Sequence, residues 1–158
     1  MEQELISIVV PVYRAERYIE ETMDCVRAQT YPHWELLLVE DCGPDRSREI
    51  IEQYIQRTGD TRIRLLTHST NLGAARARNL GVNEAKGRYL AYLDADDWWE
   101  PEKLKKQLAL LEQTGDVLAC TGRRLCSPEG EDLGKCIPVK SRITYKDLLH
   151  HNSINCSS

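Results

Sequence analysis

Short apolar runs alternate with segments of helical periodicity along most of the chain, and this order constrains the fold more than any other feature. The run Ile6–Tyr13 is nearly continuous and rich in β-branched residues, which is typical of a strand buried on both faces. Comparable runs recur at four later places: Glu35–Asp41, Ile63–Thr67, Arg88–Asp94 and Val117–Arg124. The sequence therefore predicts a series of strands, most of them buried.

Each of the first four runs is followed by a segment with apolar residues at helical spacing. These segments predict four helices: Glu16–Gln29, Asp45–Arg57 with Asp45 as its cap, Ala74–Ala85 and Pro101–Gln113. The alternation favours an α/β fold with a mainly parallel central sheet flanked by helices. In such sheets ligands bind beyond the carboxyl ends of the strands, so the polar residues there are the candidates for function.

Composition narrows the classes of function. The chain has 158 residues, which suits one domain, and a net charge of −4 without a basic tract, so nucleic acid is not an expected partner. No apolar run approaches the roughly 20 residues of a membrane-spanning helix, and the acidic start does not look like a signal peptide. Scattered cysteines without a C-x-x-C pair favour reduced thiols and a cytoplasmic protein. The histidines lack metal-ligand spacing, and no role is predicted for them.

The most informative stretch is Asp94–Asp97, which places three carboxylates within four residues after a strand. Like charges this close repel unless a cation or hydrogen-bond donors lie between them. Mg²⁺ and Mn²⁺ prefer oxygen ligands, and Mg²⁺ is often held by one or two carboxylates together with substrate phosphates. The alternative is a solvated acidic turn in which Asp97 caps the next helix.

Two further groups of polar residues follow strands. Glu40 and Asp41 end the second strand, where carboxylates can accept hydrogen bonds from a ligand or from backbone N–H groups near Gly43. Tyr13 can stack on a base or simply pack. In the helix after the third strand, at most one of Arg76 and Arg78 can face a cleft, and Arg78 among small residues can also be structural.

In their order and spacing, these motifs resemble the family 2 glycosyltransferases, which have the GT-A fold, a Rossmann-like α/β architecture. The resemblance covers about residues 5–158. The matching segments are Ser7–Tyr13, Leu38–Asp41, Asn71–Gly73, Ala77–Asn79 and Gly87–Asp97, followed by Tyr145–Leu149 and Cys156–Ser157. One departure is Glu40-Asp41-Cys42-Gly43, where many relatives carry Asp-Asp-Gly-Ser; the second acid, Asp41, is kept.

The resemblance implies roles for individual residues. The Pro11–Tyr13 segment and Asp41 would hold the nucleotide base, Asp94 the ribose, and Asp96 would be the main ligand of a divalent Mn²⁺ or Mg²⁺ ion bridging the diphosphate. The full nucleotide-sugar-binding set is Pro11, Val12, Tyr13, Glu40, Asp41, Asn71, Gly73, Arg78, Asp94, Ala95 and Asp96, and the metal set is Asp96, Asp94 and Asp97.

The implied activity is inverting, metal-dependent transfer of a sugar from a nucleotide-diphospho-sugar, with UDP-sugar expected, to a glycan or lipid-linked acceptor in cell-surface polysaccharide synthesis. The catalytic base is expected beyond Ser158, because relatives carry it in a later, acceptor-binding part. The chain is then a single nucleotide-sugar-binding domain over residues 1–158, cut before that part. This assignment is compatible with a cytoplasmic protein that associates peripherally with the inner face of the membrane. It is also compatible with a homodimer.

Three other functions stay open at this stage. The chain can be a non-catalytic nucleotide-sugar-binding fragment. A D-x-D phosphohydrolase is disfavoured because Asp97–Trp98 follows where such enzymes carry x-Thr or x-Val. A dinucleotide oxidoreductase is disfavoured because Pro11–Tyr13 stands where a G-x-G-x-x-G turn belongs.

Overall fold

Four parallel strands form the central sheet, in the order β3-β2-β1-β4. The computed structural model describes residues 4–127, 130–140, 143–150, 154 and 157. The strands are β1 Ile6–Val12, β2 Trp34–Glu40, β3 Ile63–Thr67, β4 Tyr89–Tyr92, β5 Arg123–Cys126 and β6 Asp132–Ile137. The helices are α1 Ile19–Arg27, α2 Ser47–Thr58, α3 Ala74–Glu84, α4 Lys103–Thr114 and α5 Tyr145–His150.

The two central strands are the most apolar, and both are almost entirely buried. They pair in parallel from Ile6 opposite Trp34 to Val12 opposite Glu40, so their carboxyl ends are level. Continuous burial on both faces explains why neither strand shows the polar alternation of a half-exposed sheet. The predicted α/β fold with a parallel sheet and flanking helices is confirmed.

Helix α3 packs closely on this sheet. Val9 of β1, Leu37 and Val39 of β2, and Ala77 of α3 form a buried cluster. Gly81 permits the contact, because a Cβ atom there would lie 3.3 Å from Val39 Cγ2 and would overlap a methyl group of Val9. The packing fixes α3, and with it the residues at its beginning, relative to the ends of β1 and β2.

Some predicted boundaries were wrong. Helix α2 begins at Ser47 with Arg46 as its N-cap residue, one position after the predicted Asp45. The Asp45 carboxylate still accepts a hydrogen bond from the backbone N–H of Ser47 at 3.4 Å, besides those from the backbone N–H of Glu16 and the hydroxyl of Ser47. The predicted strand Val117–Arg124 starts only at Arg123 in the structure.

The chain divides into two compact units, Met1–Lys106 with Ser157, and Gln107–Cys156 with Ser158. The first contains the parallel sheet. The second contains β5 and β6, which pair antiparallel, so the last predicted strand finds its partner in the segment that follows it. Residues 128 and 129, between these two strands, lie outside the described ranges. Within the residues described, no helix is both long and apolar enough to cross a membrane.

Candidate functional site

The carboxyl ends of β1, β2 and β4 and the beginning of α3 line one pocket of about 520 Å³. Pockets of this size are typical of small-molecule sites, and this edge of a parallel sheet is where such sites form. All but two of the predicted site residues line it: Pro11, Val12, Tyr13, Asp41, Asn71, Gly73, Arg78, Asp94, Ala95 and Asp96. The predicted nucleotide-sugar-binding and metal residues therefore lie together, although they are separated by up to 85 positions in the sequence.

The exceptions are Glu40 and Asp97, which do not line the pocket. The Glu40 carboxylate is buried and accepts a hydrogen bond from the backbone N–H of Gly43, which is the turn role considered from the sequence. The backbone N–H of Asp97 donates to the carbonyl of Asp94 and closes the turn after β4. These two residues shape the loops that carry the pocket residues.

Two non-glycine residues next to the pocket have a left-handed backbone. Arg14 has φ 53° and Cys42 has φ 56°, and each directly follows a pocket residue at the end of a strand. Such conformations are strained for residues with a Cβ atom, and they are enriched at binding and catalytic sites. Both mark the points at which the chain turns away from the sheet and presents Tyr13 and Asp41 to the pocket.

Asp41 is held by several hydrogen bonds. Its carboxylate accepts from the backbone N–H groups of Leu72 at 2.9 Å and Gly73 at 2.7 Å, and the Nδ1 atom of His68 lies 2.7 Å from Oδ1. Burial alone would raise the pKa of the Asp41 carboxyl, but these hydrogen bonds hold the pKa below its ordinary value. Asp41 is therefore an anion that ties β2 to the loop before α3.

Arg78 and Asp94 form an ion pair inside the pocket. Nη2 of Arg78 lies 2.5 Å from Oδ1 of Asp94, and both side chains are mostly buried, at 25% and 31% exposure. The Nε atom of Arg78 is buried and has no hydrogen-bond partner among the described residues. An unsatisfied donor of a buried guanidinium is costly, and it fits a ligand that brings an acceptor oxygen into the pocket.

The acidic turn after β4 is anchored from two sides. The Thr22 hydroxyl of α1 donates to the carbonyl of Ala95 at 2.8 Å. The backbone N–H of Asp94 donates to the Ser157 hydroxyl at 2.9 Å, and the Trp99 indole donates to the Ser157 carbonyl at 2.9 Å. These bonds hold the turn while leaving the Asp96 side chain exposed at the pocket wall.

The acidic residues fit a divalent cation only if a ligand completes the coordination. In the described part of the chain no three His, Cys, Asp or Glu side chains are grouped to hold a metal by themselves. Asp94 is engaged by Arg78, whereas the Asp96 carboxylate has no hydrogen bond or ion pair within the described ranges. One or two carboxylates that share the cation with substrate phosphates is a usual Mg²⁺ arrangement, and this donor set fits it.

Sequence reasoning missed several residues of this region. Arg14, Tyr18 and Ala74 also line the pocket, and His68 contacts Asp41. Arg14 and Ala74 are adjacent in sequence to predicted site residues, and this adjacency was the only sequence feature that could have pointed to them. His68 carried no signal, because its partner is 27 positions away and a lone histidine has no characteristic spacing.

A parallel α/β sheet with an acidic turn after β4 and a partly buried arginine on α3 is the arrangement expected of the class of GT-A glycosyltransferases. The chain belongs to the glycosyl transferase family 2, whose family model matches residues 7–157. The resemblance inferred from the motifs is thereby confirmed, and the family match favours this class over a phosphohydrolase or a dinucleotide oxidoreductase.

Relatives in sequence are glycosyltransferases. The chain is 40% identical over 152 residues to the putative teichuronic acid biosynthesis glycosyltransferase TuaG of Bacillus subtilis (strain 168), covering 96% of this chain and 60% of that protein. It is 35% identical over 156 residues to the UDP-Glc:alpha-D-GlcNAc-diphosphoundecaprenol beta-1,3-glucosyltransferase WfgD of Escherichia coli, covering 99% of this chain and 59% of that protein. The chain therefore spans about 60% of the length of these curated relatives.

Solved structures share the fold. TarS of S. aureus in complex with UDP superimposes with a TM-score of 0.62 at 24% identity, covering 77% of this chain and 41% of that one. The mannosyltransferase PcManGT of Pyrobaculum calidifontis, in complex with GDP-Man and Mn²⁺, gives a TM-score of 0.68 at 22% identity, covering 82% and 37%. At these identities the likeness establishes the GT-A fold of this chain.

Proposed function

We propose that the pocket binds a nucleotide-diphospho-sugar, with UDP-sugar as the donor, and that the protein transfers the sugar to a glycan or lipid-linked acceptor in cell-surface polysaccharide synthesis. The observation that carries the proposal is the pairing of two unsatisfied groups in one pocket. The buried Nε of Arg78 and the exposed carboxylate of Asp96 each have no hydrogen-bond or ion-pair partner among the described residues. A diphosphate that arrives with a divalent ion supplies both.

The other pocket residues suit the remaining parts of such a ligand. Tyr13 is half-exposed at the end of β1 and offers an aromatic face to a base. Asp41 offers an acceptor to the imide N–H of uracil, which cytosine lacks at N3. Asp94, oriented by Arg78, offers its second oxygen to ribose hydroxyl groups. This division of roles favours uridine as the nucleoside.

A divalent cation, Mn²⁺ or Mg²⁺, would be held by Asp96 with Asp94 nearby. When bound, it would act as a Lewis acid on the leaving diphosphate, where negative charge grows during transfer. The relationship to PcManGT, whose structure contains Mn²⁺, supports this choice. Arg78 lines the same pocket, where its guanidinium is ion-paired with Asp94.

Inverting transfer also needs a base that removes the proton of the acceptor hydroxyl from the opposite face of the sugar. The carboxylates of the pocket have other tasks in this proposal, so no base is assigned among the described residues. A second candidate, donor binding without transfer by residues 1–158, is favoured by the fraction of the relatives that this chain spans. Sugar transfer measured for this chain and for a longer form of the protein distinguishes the two.

Calorimetric titration with UDP tests the proposal. We expect binding in Mn²⁺ and much weaker binding in EDTA, because the cation links the diphosphate to Asp96. Asp96→Asn is expected to lose most of this difference, since a neutral amide is a poorer ligand of the same size. Asp116→Asn, at an exposed position of the second unit, is the control and should bind as the unsubstituted chain does.

Three results would count against parts of the proposal. Equal affinity for UDP in Mn²⁺ and EDTA removes the metal from it. Competition by CDP as strong as that by UDP removes the uridine preference, and tighter binding of GDP redirects the nucleoside assignment.

A further inference from the structure

His68 follows β3, and its imidazole reaches the Asp41 carboxylate at the end of β2. Nδ1 lies 2.7 Å from Oδ1, and the two side chains are 12% and 3% exposed. The backbone N–H of His68 also donates to the Glu40 carbonyl, which fixes the start of this loop against β2. The contact therefore belongs to a firmly positioned, mostly buried pair.

The protonation of this pair follows from the chemistry of the carboxylate. An ionised carboxylate accepts hydrogen bonds and cannot donate them, so Nδ1 of His68 carries the proton that lies between the two groups. The pKa of Asp41 is held below its ordinary value, which keeps the carboxyl ionised at neutral pH. His68 is thus a donor to Asp41 whether or not Nε2 is also protonated.

The distribution of donors leaves Asp41 with a limited acceptor capacity. Oδ1 accepts from His68 and from the backbone N–H of Leu72, and Oδ2 accepts from the backbone N–H of Gly73. A carboxylate has about four acceptor positions, so these three bonds leave one, and it lies on Oδ2. Asp41 is also one of the residues that line the pocket.

We propose that His68 is a positioning residue for uracil recognition: it occupies Oδ1 of Asp41 and so reserves the last acceptor of Oδ2 for the imide N–H of the base. The inference rests on the proposed binding of a uridine nucleotide. Without His68, Oδ1 regains an acceptor and the carboxylate loses its only described side-chain donor. Its rotation is then restrained by the two backbone N–H groups alone.

Two substitutions of His68 distinguish a role in positioning Asp41 through a hydrogen bond from a role in packing alone. His68→Ala removes the donor. His68→Asn restores one, because an asparagine amide nitrogen occupies nearly the position of Nδ1. Dissociation constants for UDP and CDP are measured in Mn²⁺ by calorimetry for the unsubstituted 158-residue chain and both variants, and thermal unfolding of each is recorded.

We expect His68→Ala to weaken UDP binding about 10-fold or more, since a hydrogen bond to a charged group is lost. CDP binding should change little, because cytosine offers no N3 proton to Asp41. His68→Asn should return UDP affinity to within about 3-fold of the unsubstituted chain, a small change on the scale of one hydrogen bond. The ratio of UDP to CDP affinity should therefore be high in the variants that keep a hydrogen-bond donor at position 68 and low in His68→Ala.

Three results overturn the inference alone, provided that the unsubstituted chain binds UDP. They are normal UDP binding by His68→Ala, equal weakening of UDP and CDP by that substitution, and no recovery in His68→Asn. If His68→Ala does not fold, a UDP to CDP ratio for His68→Asn that falls to that of a non-selective site overturns it as well. Absence of UDP binding to the unsubstituted chain overturns the proposed function itself.

Discussion

The guanidinium of Arg78 lies 2.5 Å from the carboxylate of Asp94, so a residue of α3 and a residue after β4 neutralise each other inside the pocket. The pair links the two elements that carry the proposed phosphate and ribose contacts. Nη2 of Arg78 donates to Asp94, whereas Nε is buried and has no hydrogen-bond partner among the described residues.

Replacement of Arg78 by Gln is therefore expected to weaken UDP binding by roughly 10- to 100-fold, the range of a lost charged hydrogen bond. Arg78→Lys keeps the charge but lacks the Nε donor, and an intermediate affinity is expected. Arg76→Gln is the matched control, because Arg76 is exposed two positions away on the same helix. Calorimetry in Mn²⁺ gives the affinities, and equal loss in the Arg76 and Arg78 variants would contradict the assignment.

Glu35 provides a prediction about stability and pH. Its buried carboxylate accepts from the Ser7 hydroxyl and the backbone N–H of Lys86, both at 2.7 Å, and lies 3.5 Å from Arg64. Burial by itself raises the pKa of Glu35, but these partners outweigh it and lower the pKa overall. Glu35→Gln should reduce the free energy of unfolding by about 1–3 kcal/mol at neutral pH. Glu84→Gln, which removes the exposed partner of the same Arg64, should cost less than about 1 kcal/mol.

The pH dependence of this difference has a defined sign. A carboxyl whose pKa is lowered in the folded state contributes its full stability above the ordinary glutamate pKa of about 4.3 and loses it as the pH falls through the folded value. The gap between the unsubstituted chain and Glu35→Gln should therefore be constant at neutral pH and shrink in acid. Urea unfolding from pH 7 to pH 3 measures it, and a gap that widens in acid would show that the pKa assignment is wrong.

The parallel sheet was predictable because its central strands are buried on both faces. Strands of this kind have continuous apolar runs in the sequence. The predicted runs Ile6–Tyr13 and Glu35–Asp41 begin and end within two residues of the observed strands Ile6–Val12 and Trp34–Glu40. The predicted start of the fifth strand at Val117 was wrong, because apolar character alone does not fix a pairing partner. Val117 is fully exposed, and the pairing that forms starts at Arg123, opposite Ile137.

Most of the pocket was also predictable, because parallel strands bring the residues after their carboxyl ends to one edge. The individual hydrogen bonds were not. Glu40 and Asp41 are adjacent acids at one strand end, yet Glu40 bonds to its own turn and Asp41 to a loop about 30 positions later. The local sequence does not indicate which of the two carboxylates points toward the loop before α3. That depends on where the packing of other elements places His68 and Gly73.

The cysteines give a prediction about thiol reactivity. Burial raises the pKa of the Cys25 thiol to about 11, whereas Cys42 is exposed at the end of β2. The thiolate is the reactive form, so Cys25 should be inert at pH 8 and Cys42 should be alkylated. Peptide mass spectrometry after a brief iodoacetamide pulse measures both, with urea-unfolded chain as the control. Alkylation of Cys25 at the rate of Cys42 in the folded chain would contradict the burial of α1 against its neighbours.

Gly81 supplies the last prediction, which concerns the packing that holds Arg78 in place. A methyl group at this position would overlap a methyl group of Val9 and lie 3.3 Å from Val39 Cγ2. Gly81→Ala should therefore destabilise the chain by about 1–3 kcal/mol despite the better helix propensity of alanine, because the well-packed interface between α3 and the sheet cannot accept extra volume.

A double-mutant cycle with Val9→Ala tests this cause. Val9→Ala alone should also destabilise, since it leaves a cavity in the buried cluster with Leu37 and Ala77. In the double variant the new methyl group enters the space that Val9 vacates, so the combined loss of unfolding free energy should be smaller than the sum by at least about 1 kcal/mol. Additive losses would mean that Gly81→Ala acts through the backbone of α3 and that close contact with β1 is not what selects glycine there.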